Sequence, residues 1–554
     1  MLRLTASTSL SRLPMKNKDK NAAQENIISA YLSLVGEGVM FPTRSDLKSK
    51  GISRDQVRNN FGTMSKLREA AKDRDLQSFD NIIDLDSYLS DNNIKLLNTK
   101  IKKFKRFFIT TAVSGQKVHD GFLSSIRTYC KKNKAMLLIL PSHDPAHNLD
   151  NGAEWHFDNA INHKTTDYVY EDTYLNSNIF ISGIRVTAKQ INPITGLSEL
   201  SQNKGSCIFA SPKQSLEYDA VSAKRLPHAR MTTGAITLPN YKTTKGNSLR
   251  TAYIADFQHL LGGVIVEIKN DNIFHFRQVQ ADNKGNFCDL GVEYSPVGSK
   301  KVDVTFVMGD YHAGEHDMTA VTAWTEVINQ TAASHVIFHD LFNGNSISHH
   351  MDNNIIAKSN LATNGLNSLA GELQITASEV DRFGDLKSVK KLVIVKSNHD
   401  DFIDRYLQRG GFIKDPINFH IGCKLAAEVV GTSKDYLEEG FKIAGLPRHY
   451  KKMKFLSVDE DYTVGGVHLG AHGDKASNGA KGSIKSMAKS YPKCVVGHSH
   501  TPGIFKGARQ VGTTSLKRLG YNKGPSSWIH CSALVYNNGQ VQLINSIEGE
   551  WHLK

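Results

Sequence analysis

The run Val302-Asp303-Val304-Thr305-Phe306-Val307-Met308, followed at once by Gly309-Asp310-Tyr311-His312, decides how the C-terminal half of this chain is read. An apolar run of that length predicts a buried strand. A strand sends residues i and i+2 to one face, so Asp310 and His312 leave its end side by side, placed to grip one cation. Gly309 lets the backbone come close there. The same grammar returns at Val336-Ile337-Phe338-His339-Asp340, at Leu392 to Val395 running into Asn398-His399-Asp400, at Val467 to Ala471 running into His472-Gly473-Asp474, and at Val495-Val496-Gly497-His498-Ser499-His500. Open sheets gather ligands at the carboxyl ends of their strands, so this ordered series predicts one shared metal site.

These motifs resemble the ordered signature of the calcineurin-like metallophosphoesterases, D-x-H, G-D, G-N-H-D, H-G and G-H-x-H, across the stretch from Lys300 to Glu550. Gly497-His498-Ser499-His500 and Asn398-His399-Asp400 are its most specific parts. The resemblance implies a four-layer α/β/β/α sandwich holding two divalent ions. Asp310, His312 and His500 would hold one, Asn398, His472 and His498 the other, with Asp340 bridging. Carboxylate oxygen mixed with imidazole nitrogen suits Mn²⁺, Fe or Zn²⁺ better than Ca²⁺. Mn²⁺ is the expectation, because it is common in the family's nucleases.

The resemblance also implies that His399 protonates or stabilises the leaving oxygen, that Asp400 orients the imidazole, and that a hydroxide bridging the ions attacks phosphorus. Two divalent ions bring roughly +4, against roughly −3 from Asp310, Asp340 and the hydroxide, so the centre attracts a phosphodiester. Asn398 preserves that surplus by being neutral. There are departures from the pattern: His339 replaces the Gly usual before the bridging Asp, Ser397 replaces the Gly before Asn398, and Asn343 stands where an acid is frequent. None removes a ligand, and His339 is expected to add a ligand or touch substrate.

The 554 residues suffice for two or three domains, each with its own core. Lys and Arg outnumber Asp and Glu by 68 to 54, for a formal charge of +14. That balance favours an acidic partner such as DNA, and it also fits a solvated basic surface. The six cysteines form no C-x-x-C pair, which suits a reduced, intracellular protein. No apolar run reaches the ~20 residues of a membrane helix. Met1 to Lys20 is basic and Ser-rich without an apolar h-region, and is expected to be a disordered tail.

Residues 21–99 are expected to form a helical module and linker. Asn21 to Leu34 has helical spacing, Thr43 and Ser53 are cap residues, Gly51 supplies a turn, and the Phe61-Gly62 step ends one helix before the next. Three short helices around Leu47, Ile52, Val57, Phe61 and Leu67 make a helix-turn-helix, and Asp46 to Ala70 looks like the repeats attached to homing endonucleases. Its second helix would turn Arg54, Gln56, Arg58 and Asn59 toward phosphates and base edges. A small packing module with a solvated polar face reads equally well. The acidic stretch Asp73 to Asp91 and the basic run Lys100, Lys102, Lys103, Lys105 and Arg106 read as linker.

Residues 100–298 read as an α/β domain of unknown role. A strand from Phe107 to Val113, a helix from Asp120 to Lys132 and a strand from Met136 to Leu140 suggest a parallel pair. Apolar runs at Ile179 to Val186, Cys207 to Ala210 and Val264 to Ile268 extend it. Ser142-His143-Asp144 are consecutive, so they need not converge as a triad. The loop Lys242 to Arg250 is basic and Gly-containing, a phosphate contact or a mobile hairpin.

Residues 299–554 form the expected metal domain, with insertions at 345–390 and 401–460. The first begins with Ser348-His349-His350 and Asp352, and His349 and His350 are expected to line the substrate cleft. The second is mostly helical and ends in Arg448-His449-Tyr450-Lys451-Lys452 and Lys454, where Lys451 and Lys452 would grip a phosphate backbone.

The leading expectation is therefore a multi-domain α/β hydrolase: a DNA-cleaving phosphodiesterase. Its domain order resembles large phage-encoded members of the superfamily, which implies host-DNA breakdown in the bacterial cytoplasm. A phosphomonoesterase acting on nucleotides or phosphoproteins would use the same ligands. A non-catalytic scaffold binding DNA or host proteins also stands, and self-association is open.

Overall fold

The N-terminal module is built from helix caps. In the computed structural model, which describes residues 17–36, 42–72, 82–84, 91–144, 154–184, 186–222, 225–241, 248–351, 354–458, 460–520 and 522–554, helices α1 (Asn17–Gly36), α2 (Arg44–Ser49), α3 (Arg54–Phe61) and α4 (Met64–Lys72) form a small bundle. Thr43 and Ser53 each close a capping box, with Asp46 and Gln56 returning the bond, and Gly62 ends α3 at φ +75°. Leu47, Ile52, Val57, Phe61 and Leu67 are buried together with Ile27, Tyr31 and Leu34 of α1. Residues 17–20, expected in a tail, begin α1. Residues 1–16, most of the acidic linker, Lys242 to Asn247 and Asp352 lie outside the described residues.

The expected basic linker is ordered as well. Helix α5 (Asp91–Ile101) buries Ile101, and Lys100 pairs with Asp167 at 2.7 Å. Arg106 then opens a strand. The middle region supplies β1 (Arg106–Val113), α6 (Asp120–Asn133), β2 (Met136–Ser142), β3 (Asp167–Tyr168), β4 (Thr173–Asn176), β5 (Ile179–Ile181), β6 (Ser206–Phe209), β7 (Ser215–Tyr218), β8 (Ala229–Thr232), β9 (Gly262–Ile268) and β10 (Phe274–Gln280). As expected, β1 and β2 are parallel, joined through α6.

The C-terminal region supplies β11 (Val304–Val307), α7 (Met318–Thr331), β12 (His335–Phe338), α8 (Leu369–Gly384), β13 (Lys391–Val395), α9 (Asp401–Gln408), β14 (Met453–Leu456), β15 (Thr463–Val464), β16 (Val467–His468), β17 (Cys494–Val496), β18 (Gly503–Phe505), β19 (Ala508–Gln510), β20 (His530–Tyr536) and β21 (Val541–Ser546). A six-stranded sheet runs β14-β13-β12-β11-β20-β21 and a five-stranded one β10-β9-β1-β2-β3. A ten-stranded sheet runs β15-β16-β17-β19-β18-β7-β8-β6-β5-β4, so it draws strands from both sides of residue 298. The second insertion is helical except that β14 joins the six-stranded sheet in parallel with β13.

One apolar core fills the space between the ten-stranded sheet and the other two. Val307, Ile337 and Val393 meet Val495 and Ile504 there, and Ile109, Leu138 and Val264 meet Ile208 and Leu216. Helices cover the outer faces: α7 and α8 bury Trp324, Val327, Leu373 and Val380, and α6 buries Phe122 and Ile126. The layers run helix, sheet, sheet, helix, and the chain is a mixed α/β, multi-domain protein with a small N-terminal helical part. Among the described residues no helix is long and apolar enough to cross a membrane.

Candidate metal centre

Asp310 and His312 follow β11, Asp340 follows β12, Asn398 follows β13, His472 follows β16, and His498 and His500 follow β17. The strands run parallel within each sheet at these edges, so their carboxyl ends bring the side chains to one place. Nε2 of His312 and Nε2 of His500 lie 3.0 Å apart, and His500 Nε2 is 3.2 Å from Asp310 Oδ2. Nε2 of His472 stands 3.3 Å from Asp340 Oδ2 and 3.0 Å from Asn398 Oδ1, which is 2.9 Å from Nδ1 of His498. Asp340 is common to both halves, 3.7 Å from His312 Nε2.

Three local features mark this convergence as costly. Asp310 is fully buried, and neither of its carboxylate oxygens has a hydrogen-bond partner among the described residues. A buried carboxylate that meets an imidazole at 3.2 Å without a well-formed hydrogen bond is an expensive group for a protein to hold. His312, Asp340, His498 and His500 all sit at positive φ, +52°, +44°, +76° and +59°, a conformation that costs a non-glycine residue of order 1–3 kcal/mol. Gly497 is required by closeness: a Cβ there would lie 2.1 Å from Asp310 Oδ1. Gly309 is similar, with Cys531 O 2.5 Å from its would-be Cβ.

Groups among these residues could hold a metal ion. Asp310, Asp340 and His500 group together, and so do His312, Asp340 and His399, while Asn398 Oδ1 gathers His472 and His498. Oxygen mixed with imidazole is the chemistry of Mn²⁺, Fe or Zn²⁺. Burial opposes ionisation of Asp340, yet the imidazoles of His472 and His399 hold its carboxyl well below the usual range. Burial likewise opposes charge on His472, and Asp340 lifts it to about 9. Burial, with His399 alongside, pushes His312 down to about 3.

Asn343 orients two of these rings: its side-chain oxygen lies 3.2 Å from His312 Nδ1, and its main-chain carbonyl accepts from His399 Nδ1 at 2.7 Å. The second contact corrects an expectation. Asp400 does not hold His399. It stands at the head of α9, where its Oδ2 accepts from the N–H and O–H of Ser397, each at 3.0 Å, and burial pushes its carboxyl up to about 8. With Nδ1 so engaged, Nε2 of His399 is the nitrogen left for chemistry. His399, Asn398 and His498 are half-buried while Asp310, His312, Asp340, His472 and His500 are buried, so the cluster is open to solvent on the side of the first three.

His339 is fully buried, with Nδ1 3.4 Å from Nδ1 of His472. It packs beside His472 and does not face solvent. The rings of His349 and His350 are tilted against each other with centroids 4.0 Å apart, and both sit against the Phe402 ring, which lies 4.9 Å from that of His399. His349 lines a groove beside the centre, and His350 is not part of that lining. Trp528 went unforeseen: its ring packs 4.0 Å from that of His500, and nothing in its sequence surroundings signals this.

The chain is similar to Protein A1 of Escherichia phage T5. The two are 26% identical over 481 residues, covering 82% of this chain and 84% of that protein. No family model and no solved structure matches.

The expected DNA contacts fare unevenly. Arg54 and Arg58 are exposed on α3, as is Gln56, but Gln56 is spent on the cap of that helix. The basic stretch at 448–454 is largely neutralised. Arg448 pairs with Asp381 and Asp385, His449 with Asp385, and Lys454 with Glu460. Lys452 cannot grip a phosphate, because its Nζ donates to the carbonyls of Gly384 at 2.6 Å and Val389 at 3.0 Å. Lys451 remains exposed.

Proposed function

We propose that the chain is a two-metal phosphodiesterase of the calcineurin-like metallophosphoesterase kind that hydrolyses DNA. The observation carrying this reading is the buried, hydrogen-bond-free Asp310 carboxylate facing His500 and His312 beside the Asp340, His472 and Asn398 cluster. Two divalent cations, Mn²⁺ first among them, would satisfy those groups and would supply the Lewis acidity that activates water and attracts phosphate oxygens. The chain's own residues do the rest. Asp310, His312 and His500 would hold one ion, Asn398, His472 and His498 the other, and Asp340 would serve both. His399 faces the substrate side with Nδ1 fixed on Asn343, so its Nε2 is set to give a proton to the leaving oxygen.

A polymeric substrate is favoured by a groove of about 670 Å³ adjoining the centre, floored by Phe402. Lys358, Arg405, Arg409 and Lys414 line it, with Asp415 as the acid among them, and Asp415 accepts from Tyr406 and Asn418. Phosphates flanking the scissile bond would lie there, and a phosphomonoester would not need it. The T5 relative supports a role in a phage. In this reading the DNA is that of the host, cleaved in the bacterial cytoplasm. Arg54 and Arg58 of the N-terminal module would add further DNA contacts.

The test is incubation with linear and closed-circular DNA in Mn²⁺, with chelator as control and p-nitrophenyl phosphate alongside. Metal-dependent loss of DNA is expected. Cleavage of the monoester alone would favour the phosphatase reading, and no hydrolysis despite bound metal would favour a scaffold for DNA or host proteins.

A further inference from the structure

The middle region repeats the strand order of the C-terminal one, β14 aside. The order β10-β9-β1-β2-β3 has the pairing antiparallel, antiparallel, parallel, parallel, as does β21-β20-β11-β12-β13. In the ten-stranded sheet, β15-β16-β17-β19-β18 and β4-β5-β6-β8-β7 share one pattern and join edge to edge, β18 pairing antiparallel with β7 and Ile504 standing opposite Leu216. That pair lies on a local two-fold axis.

Individual hydrogen bonds repeat too. Asp310 N–H donates to Gly512 and Asp310 O accepts from Thr514. Thr111 N–H donates to Gly234 and Thr111 O accepts from Ile236, with the same lengths of 3.1 and 2.8 Å. Helices α6 and α7 are each 14 residues long, and each ends on a left-handed residue, Lys134 at φ 51° and Ala332 at φ 52°.

The ligands do not repeat. Thr111 stands at the place of Asp310, Val113 at that of His312, and Leu140, opposite Thr111 in the sheet register, at that of Asp340. After β6 come Ala210-Ser211-Pro212-Lys213 in place of Gly497-His498-Ser499-His500. Thr111 Oγ1 is satisfied, 2.6 Å from Thr233 Oγ1 and accepting from Ser211 N–H at 3.0 Å. The contrast is with Asp310, whose carboxylate lacks such partners.

The antiparallel junction of β7 and β18 turns the two copies end for end. The hairpin tip of the middle copy therefore reaches the metal edge of the C-terminal copy. β18 and β19 are joined by Lys506-Gly507 alone, but the link between β7 and β8 is longer, and residues 219–222 and 225–228 of it are described. That longer loop docks on the C-terminal unit: Val221 and Ser526 exchange backbone hydrogen bonds of 3.0 and 2.9 Å. Beyond the bridge, Arg225 forms a groove of about 300 Å³ with Leu516, Lys517, Arg518 and Trp528, and Trp528 packs on His500. Among the described residues the groove has three cationic side chains and no carboxylate in its lining.

We infer that residues 106–280 are a metal-free copy of the C-terminal metal unit, whose 219–228 loop lends Arg225 to a groove that binds a DNA phosphate beside the centre. This rests on the phosphodiesterase reading for the identity of the ligand. The copy acts within one chain as a second subunit would in a symmetric dimer, completing the site from outside.

The experiment has two readouts on the full chain: Mn²⁺ bound per chain by elemental analysis, and binding of a short fluorescein-labelled DNA strand in chelator across a salt series. Two ions per chain are expected. Arg225→Ala should weaken DNA binding several-fold and reduce the salt slope by about 1, with Arg225→Lys restoring the slope. Four ions per chain would overturn the metal-free assignment, and an unchanged slope in Arg225→Ala would overturn the role of the loop. If the intact chain binds DNA but never cleaves it, the phosphodiesterase reading fails, and these two readouts still judge the inference.

Discussion

Gly497 shows how far single atoms constrain the centre. A methyl group at its Cα would sit 2.1 Å from an Asp310 oxygen, so Gly497→Ala must displace that carboxylate. We expect the variant to fold and to lose bound metal, measured by elemental analysis after equilibration with Mn²⁺; full metal content would contradict the assignment of Asp310 as a ligand. The ligand positions were legible because each is a polar residue directly after an apolar run, a pattern that survives in a single sequence. The partner of His399 was not. Adjacency suggested Asp400, but a residue at the head of a helix turns its side chain back toward the N–H of Ser397, and the carbonyl that holds the imidazole comes from Asn343, on another strand end. Lys452 misled for a related reason, since a charge run carries no information about which of its members meets a backbone carbonyl.

At the scale of elements, the caps were the most readable feature. Thr43, Ser53 and Gly62 fixed the N-terminal helices as expected, because capping is local chemistry between residues three apart. Ser53→Ala removes the bond accepted from Gln56 N–H, and should cost the module about 1 kcal/mol, read as a lower urea midpoint by circular dichroism. An unchanged midpoint would mean that α3 is held by its buried Val57 and Phe61 alone. The duplication of the middle region was invisible at this scale. It resides in backbone pairing, which Thr111 and Asp310 perform alike while sharing no side-chain chemistry. Strand, helix and strand from Phe107 to Leu140 were readable, but their relation to the second half was not.

The whole molecule is tied together by a buried ionic knot where the five- and six-stranded sheets adjoin. Arg277 donates to Asp289 at 2.7 and 3.2 Å and to Glu267 at 2.9 Å, and Glu267 also takes the Arg106 side chain and the N–H of Leu553. Gln542 of β21 donates to Asp289 at 2.8 Å, so both halves and the chain end meet here. Burial opposes the charge on Glu267, and Arg277 more than offsets it, holding its carboxyl at about 2 against 4.5 when unfolded. This stabilisation, on the order of 3 kcal/mol, is complete above pH 4.5 and is lost as pH falls toward 2. Thermal melts of Glu267→Gln should lie below those of the parent at neutral pH and converge with them in acid; parallel curves down to pH 2 would refute the linkage. The continuity of the ten-stranded sheet could not be read from the chain, because the apolar runs announce strands without naming their neighbours.

The most direct measurement of the central claim is single-turnover hydrolysis of DNA by His399→Ala in Mn²⁺, with bound metal counted in the same preparation. The account predicts two ions retained and a rate lower by about 10²- to 10⁴-fold, the usual contribution of a positioned proton donor. Hydrolysis at the parent rate with both ions bound would contradict it.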